Sequence, residues 1–229
     1  MLDVMQIFGR AGRPQFDTSG EATMITSHTA LPRYLQLLTR QAAIESNFLK
    51  QLEDHLNAEV SSGTVTNIDE GVAWLSYTYL YIRMLKNPLC YGLNFEAREM
   101  DPQLEAARYD KIKAAAKRLD EQRMLRYDPR SGNLAATDLG RTASHFYIRS
   151  ASIETFNRMN MGASAMSDDD ALNILCHASE FENVKVRPEE LPEMDKVKKE
   201  CPLEVKSPVE EAAGKVSVLL QAYVSQVRV

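Results

Sequence analysis

Gln6-Ile7-Phe8-Gly9-Arg10-Ala11-Gly12-Arg13-Pro14 is the stretch from which the rest of the chain is read. The residues before it alternate apolar Leu2, Val4, Met5 and Phe8 with Asp3 and Gln6, a pattern that predicts the last turns of a helix. Arg10 and Arg13, three positions apart, would share one face at the end of that helix. Gly12 and Pro14 then allow a sharp exit. Two guanidiniums presented in this way suit a phosphate, because each offers a planar fork of donors that stays charged. The plain alternative is a basic helix end facing solvent.

Composition sets the outer limits. The chain has 229 residues, 44% hydrophobic and 26% charged, which is the make-up of a globular protein of one large or two ordinary domains. Its formal net charge of −5 offers no global basic field for nucleic acid, so any such binding must come from local patches or a larger protein. Cys90, Cys176 and Cys201 are scattered without C-x-x-C spacing. They argue for a reducing compartment and against a disulfide framework or a zinc site. No apolar run approaches the roughly 18 residues of a membrane span. The expectation is a soluble protein of the cytoplasm, the nucleus or both, with no membrane partner.

Along the chain, the run Glu21–Thr26 suits a buried strand and Leu31–Leu38 a short connector helix. Phe48, Leu49, Leu52, Leu56 and Val60 give a second amphipathic helix ended by Ser61-Ser62-Gly63. Asn67 and Glu70 outline a capping box for a long helix over 68–85, apolar nearly all round and expected to be the buried spine. Asp101-Pro102 predicts the start of a third helix running to about Gln122. Met124–Tyr127 and Asn133–Ala136 flank the turn-rich Asp128–Gly132 and predict a β-hairpin. Thr137 caps a further helix. Ser152–Met161 is a short helix, 161–166 a small-residue linker, and Ser167 with three aspartates another helix start. Residues 183–202 read as a loop with a brief helix, and Ser207-Pro208-Val209-Glu210 as a capped start of the last amphipathic helix. Three helices and a hairpin make a winged helix.

The opening string reads as Q-x-x-G-R-A-G-R and resembles motif VI of the superfamily two helicases, with the A-G-R-P-Q-F-D ending of the superkiller-like branch. The resemblance continues through Pro14-Gln-Phe-Asp17, Gly63-Thr-Val-Thr-Asn67, Tyr77-Thr-Tyr-Leu-Tyr-Ile-Arg-Met84, Asp138-Leu-Gly-Arg141 and Leu219-Leu-Gln-Ala-Tyr223. It covers nearly the whole chain and is similar to the tandem-cassette members. The wording of Leu2–Phe8 and Ile153–Asn157 resembles the cointegrator-complex branch, whose fungal counterpart acts in ribosome quality control, with the spliceosomal branch next. The fold so implied is mainly α with small β content. It runs from the C-terminal end of a RecA-like α/β domain (1–28) through a connector helix (29–42) and a winged helix (43–148). The first helices of a Sec sixty-three-type bundle follow (149–229).

The family's function implies Arg10 and Arg13 as the arginines reaching ATP phosphate, with Gln6 as the coupling residue. Gly9 and Gly12 let the backbone pass close. The implied cofactor is ATP with Mg, held by a parent helicase that acts on RNA or DNA within a multi-subunit complex. Its N-terminal RecA-like domains are the intramolecular partners. No G-x-x-x-x-G-K-[ST] loop or D-E-x-H box occurs in the sequence. The chain is therefore expected to be an internal piece of a longer protein, inactive alone.

A second candidate is the basic run Arg108, Lys111, Lys113, Lys117, Arg118, Arg123, Arg126 and Arg130. Lys111, Lys117, Arg118 and Arg126 are its candidate nucleic-acid contacts, which would make the chain a non-catalytic winged-helix binding module. Glu105, Asp110, Asp120 and Glu121 dilute the patch, so a solvated helix face explains it as well. Asp168–Asp170 reads as a helix start rather than a magnesium site, and no histidine or cysteine pair has ligand spacing. Tyr77, Tyr79 and Tyr81 read as core and interface packing, and Arg141 as an inter-domain clamp.

Overall fold

The computed structural model describes residues 2–13, 15–39, 43–94, 96–159 and 166–226. It is mainly helical, with one two-stranded hairpin among the described residues. The chain divides after Ser46 into two compact units.

The first unit contains α1 (Leu2–Phe8), a turn and loop, and α2 (Leu31–Leu38). The strand expected at 21–26 does not form. The segment runs irregularly, no backbone hydrogen bond from its amides is found among the described residues, and Ile25 is 97% exposed. Met24 and Thr26 are half-buried while Thr23 and Ile25 face out, which is a strand's alternation. A strand needs a neighbour to take its N–H and C=O groups, and none of the described residues supplies one.

In the second unit α3 (Leu52–Ser62) is closed by Gly63, which takes the left-handed φ of +80° and donates its amide back to the helix. The expected single helix over 68–85 is two, α4 (Ile68–Leu75) and α5 (Tyr79–Lys86). Ser76 and Thr78 donate their hydroxyls to Ala73 O and Leu75 O, and the Thr78 side chain then accepts the Tyr81 amide as a new N-cap. Hydroxyls placed this way compete with the helical ladder. The break turns Tyr77 outward, 88% exposed, so it is not buried spine. Asn67 caps α4 by accepting the Glu70 amide at 2.9 Å, but Glu70 reaches Thr66 rather than completing the box.

After α6 (Ala97–Met100), α7 runs over Glu105–Glu121, starting later than Asp101-Pro102 predicts. Leu104, 1% exposed with φ +51°, makes the bend, and Asp101 reaches across to accept the Ala106 amide at 2.9 Å. β1 (Leu125–Tyr127) pairs antiparallel with β2 (Leu134–Ala136), and α8 covers Asp138–Phe146 with Thr137 as its cap. Leu134 N donates to Thr66 O at 2.7 Å and Ile68 N to Gly132 O at 3.0 Å, which ties the wing to the start of α4. Leu56, Leu75, Leu80, Met84, Ile112, Leu119 and Met124 form the core that these elements enclose. Gly71 lets α4 lie close on α7, since a Cβ there would stand 2.9 Å from Ile112.

α9 (Ser150–Met159) joins this core through Ile153, and beyond it lie α10 (Asp168–Cys176), α11 (Leu191–Lys198) and α12 (Ala212–Val224). Most of the linker expected at 161–166 falls outside the described residues. Ser167 and Asp170 form a reciprocal capping box. The last helix starts after Glu211, not at Ser207-Pro208, and has no side-chain cap. Ser207 and Pro208 instead run against it so closely that a Cβ on Gly214 would stand 1.9 Å from Pro208 O. Of this helix, Val216, Val218 and Ala222 pack inward, while Tyr223 and Val224 are exposed.

Candidate functional site

The helix that was expected to carry both arginines ends at Phe8, so Arg10 and Arg13 lie on the turn that follows it. Arg10 N donates to Ile7 O at 3.0 Å and Ala11 N to Phe8 O at 3.1 Å, tight bonds that finish the helix. Gly12 then takes φ +84°, a conformation few other residues adopt. The backbone closes on itself at once. Arg13 N donates to Asp17 Oδ2 at 2.7 Å, while Asp17 N and Phe16 N donate to Arg13 O at 2.7 and 2.8 Å. Gly20 lies against this turn, and a Cβ there would stand 2.3 Å from Ala11 O.

Gln6, Gly9, Arg10 and Arg13 are exposed and Gly12 is half-buried. Among the described residues neither guanidinium has an ion-pair or hydrogen-bond partner. A free pair of forked donors on a closed turn can receive an oxyanion from outside the chain. Next to the turn a small apolar groove of about 250 Å³ is lined by Val4, Ile7, Phe8, Thr23, Met24, Ile25 and Tyr34.

The basic run of α7 and the hairpin is mostly committed within its own domain. Lys111 donates to Tyr91 O at 3.2 Å, and burial pushes its ammonium pKa down. Arg118 pairs with Glu53 at 2.9 Å. Lys117 stands 3.9 Å from Glu121, a weak exposed contact. Arg126 faces solvent on β1. Arg108 is only 5% exposed and donates to Val72 O at 2.7 Å beneath the Tyr81 ring.

Asp169 and Asp170 accept the Glu204 amide and the Lys206 ammonium, and no group of metal-ligating side chains occurs among the described residues. The cysteines are free, and no described helix is long and apolar enough to cross a membrane. Arg141 pairs with Asp138 at 3.0 Å, both exposed.

Sequence reasoning missed Asp17, although its place four residues after Arg13 was a usable signal. It also missed Asn57, 2% exposed, whose amide donates to Gly140 O at 2.9 Å and joins α3 to α8.

Two family models match the chain, a Winged Helix-turn-helix domain over residues 45–121 and the Sec63 Brl domain over 136–229. The DExH-box ATP-dependent RNA helicase DExH14 of Arabidopsis thaliana is 52% identical over 227 residues. Activating signal cointegrator 1 complex subunit 3 is 51% identical in Gallus gallus and 48% in Homo sapiens, each over 227 residues. Each alignment covers 99% of this chain and 10% of the relative. The chain is related to a segment of the tandem-cassette helicases. It spans about one tenth of the length of the helicases it matches. Along this chain the winged-helix match precedes the Sec63 Brl match.

Proposed function

We propose that this chain is the part of an ATP-dependent nucleic-acid helicase in which Arg10 and Arg13 face the nucleotide. The winged helix and helical bundle would supply part of the framework of that helicase. The observation that carries the reading is the Q-x-x-G-R-A-G-R string folded as a closed turn, with two guanidiniums that have no partner among the described residues. Two forked, cationic side chains on one turn suit a triphosphate. Arg10 and Arg13 would hold ATP with Mg from the side opposite a Walker loop. ATP supplies the transferable phosphoryl group. The arginines stabilise the charge that spreads over its oxygens in the transition state, at no cost of solvent reorganisation. Gln6, exposed on the last turn of α1, would be the polar coupling residue of the motif.

In the full-length protein, Arg10→Ala or Arg13→Ala is expected to cut nucleic-acid-stimulated ATP hydrolysis by about a hundredfold or more, the scale of a lost transition-state contact. Near-wild-type turnover in both variants overturns the assignment. The 229-residue chain alone is expected to hydrolyse no ATP. Oligonucleotide titration at two salt concentrations tests the winged helix as a binding module. Micromolar, steeply salt-dependent binding by the chain alone would move the nucleic-acid contact onto α7 and the hairpin.

A further inference from the structure

We infer that Asp17 is a positioning residue: its carboxylate fixes the backbone from which Arg13 reaches the nucleotide phosphate. This rests on the reading of Arg10 and Arg13 above and deepens it. Asp17 and Arg13 exchange two bonds, Arg13 N to Asp17 Oδ2 and Asp17 N to Arg13 O, each 2.7 Å. The amide-to-carboxylate bond is charge-assisted, roughly twice as strong as a neutral one. Both polar groups of the Arg13 backbone are thus held within four residues, on a stretch where the two side chains are exposed.

What Asp17 leaves alone is as informative as what it holds. A carboxylate four residues from an arginine commonly pairs with its side chain, which would neutralise it. Here the carboxylate takes the amide, and among the described residues the guanidinium has no partner. The charge stays available to an outside anion while its point of attachment is fixed. On the other side of Arg13 the turn is held by shape, with Gly12 at φ +84° and Gly20 seated against Ala11. A long cation delivered from a closed turn reaches its target with less disorder to lose, and a misplacement of about 1 Å at such a group can cost about a hundredfold in rate.

Two measurements test this. In the 229-residue chain, hydrogen exchange at the Arg13 amide should be slow in the wild type and in Asp17→Asn, whose side-chain carbonyl still accepts, and fast in Asp17→Ala. In the full-length protein, Asp17→Ala should lower kcat for ATP hydrolysis by about ten- to a hundredfold with KM for ATP within about twofold. Asp17→Asn should recover to within about threefold of wild type, and Arg13→Ala/Asp17→Ala should be no slower than Arg13→Ala. A slow Arg13→Ala beside a wild-type Asp17→Ala overturns the proposal and leaves the arginine assignment standing. Additive losses in the double variant, or fast exchange at Arg13 in the wild type, also overturn it. Wild-type turnover in Arg13→Ala removes the arginine assignment and this inference with it.

Discussion

Arg108 is a cation that the fold has withdrawn from solvent. Its Nη1 donates to Val72 O at 2.7 Å and its guanidinium lies 4.8 Å from the Tyr81 ring centre, so it joins α7 to both α4 and α5. Arg108→Ala leaves a buried carbonyl without its donor and a gap under the ring. It is expected to destabilise the domain by about 2–3 kcal/mol in urea unfolding. Arg108→Lys should not restore it, because an ammonium has neither the reach nor the planar face that the ring and carbonyl share. In the sequence Arg108 was one of eight basic residues on one stretch, and only the packing separates it from the others. Gly140 makes the same point in reverse. Its family wording drew attention to Arg141, which forms an ordinary exposed i,i+3 pair with Asp138. The constrained residue is the glycine, where a Cβ would stand 1.9 Å from Met124 O. The arginines of the turn were legible as residues. Their partner Asp17 was legible only as an acid four residues after Arg13; that spacing does not tell that the carboxylate takes the amide rather than the guanidinium.

At the scale of elements, the helices with one apolar stripe and a polar cap were readable: α3 with Gly63 after it, α8 under Thr137, α10 under Ser167. Periodicity failed where local side chains overruled it. Ser76 and Thr78 break a continuous apolar run into α4 and α5, and Leu104 in the left-handed region delays α7 past its proline signal. The segment 21–26 failed for a different reason. Its alternation is that of a strand, but a strand is a property of two segments, and the second is not among the described residues. A prediction follows from these amides, for which no backbone bond is found among the described residues. In this chain, residues 21–26 should exchange hydrogen within about tenfold of unprotected rates, as open backbone does. In the full-length protein, where a neighbouring strand of the RecA-like sheet is expected, the same amides should become protected. Equal exchange in the two samples would argue against that sheet.

In the molecule as a whole, α9 is the element on which the second unit depends for continuity. Ser150 N donates to Asp54 Oδ1 on α3 at 2.6 Å, and Asn157 donates to Gln122 O at the end of α7 at 2.8 Å. On the other side, Glu180 accepts the Arg149 amide at 2.8 Å and the Ser152 hydroxyl, while Arg149 pairs with Glu182 at 2.8 Å. Farther on, Asp170 binds Lys206 and Ser167, and Glu190 binds Lys215. Asp170, Glu180 and Glu190 are held below their usual range. The Lys206 ammonium and the Ser167 cap bring Asp170 down to about 2. Lys215 lowers Glu190, and at Glu180 partial burial opposes but does not outweigh the Arg149 amide and the Ser152 hydroxyl. In each case the folded pKa lies below the unfolded one, so the folded state sheds the proton first. Their stabilisation is complete above the unfolded values near 4, is lost as pH falls from about 4.5 towards 2, and is insensitive to pH between about 5 and 8. Glu70, Asp101 and Asp128 of the winged helix are lowered too, but the largest shift is at Asp170, so acid should loosen the helices beyond residue 149 before the winged helix. Thermal unfolding followed between pH 7 and 2.5 should show one transition at neutral pH and a lower-melting component for the helical region in acid. Glu180→Gln should bring that component to higher pH, because the amide keeps the shape of the carboxylate and loses its charge. A transition that stays single and falls uniformly with pH would mean that these carboxylates do not govern the joint.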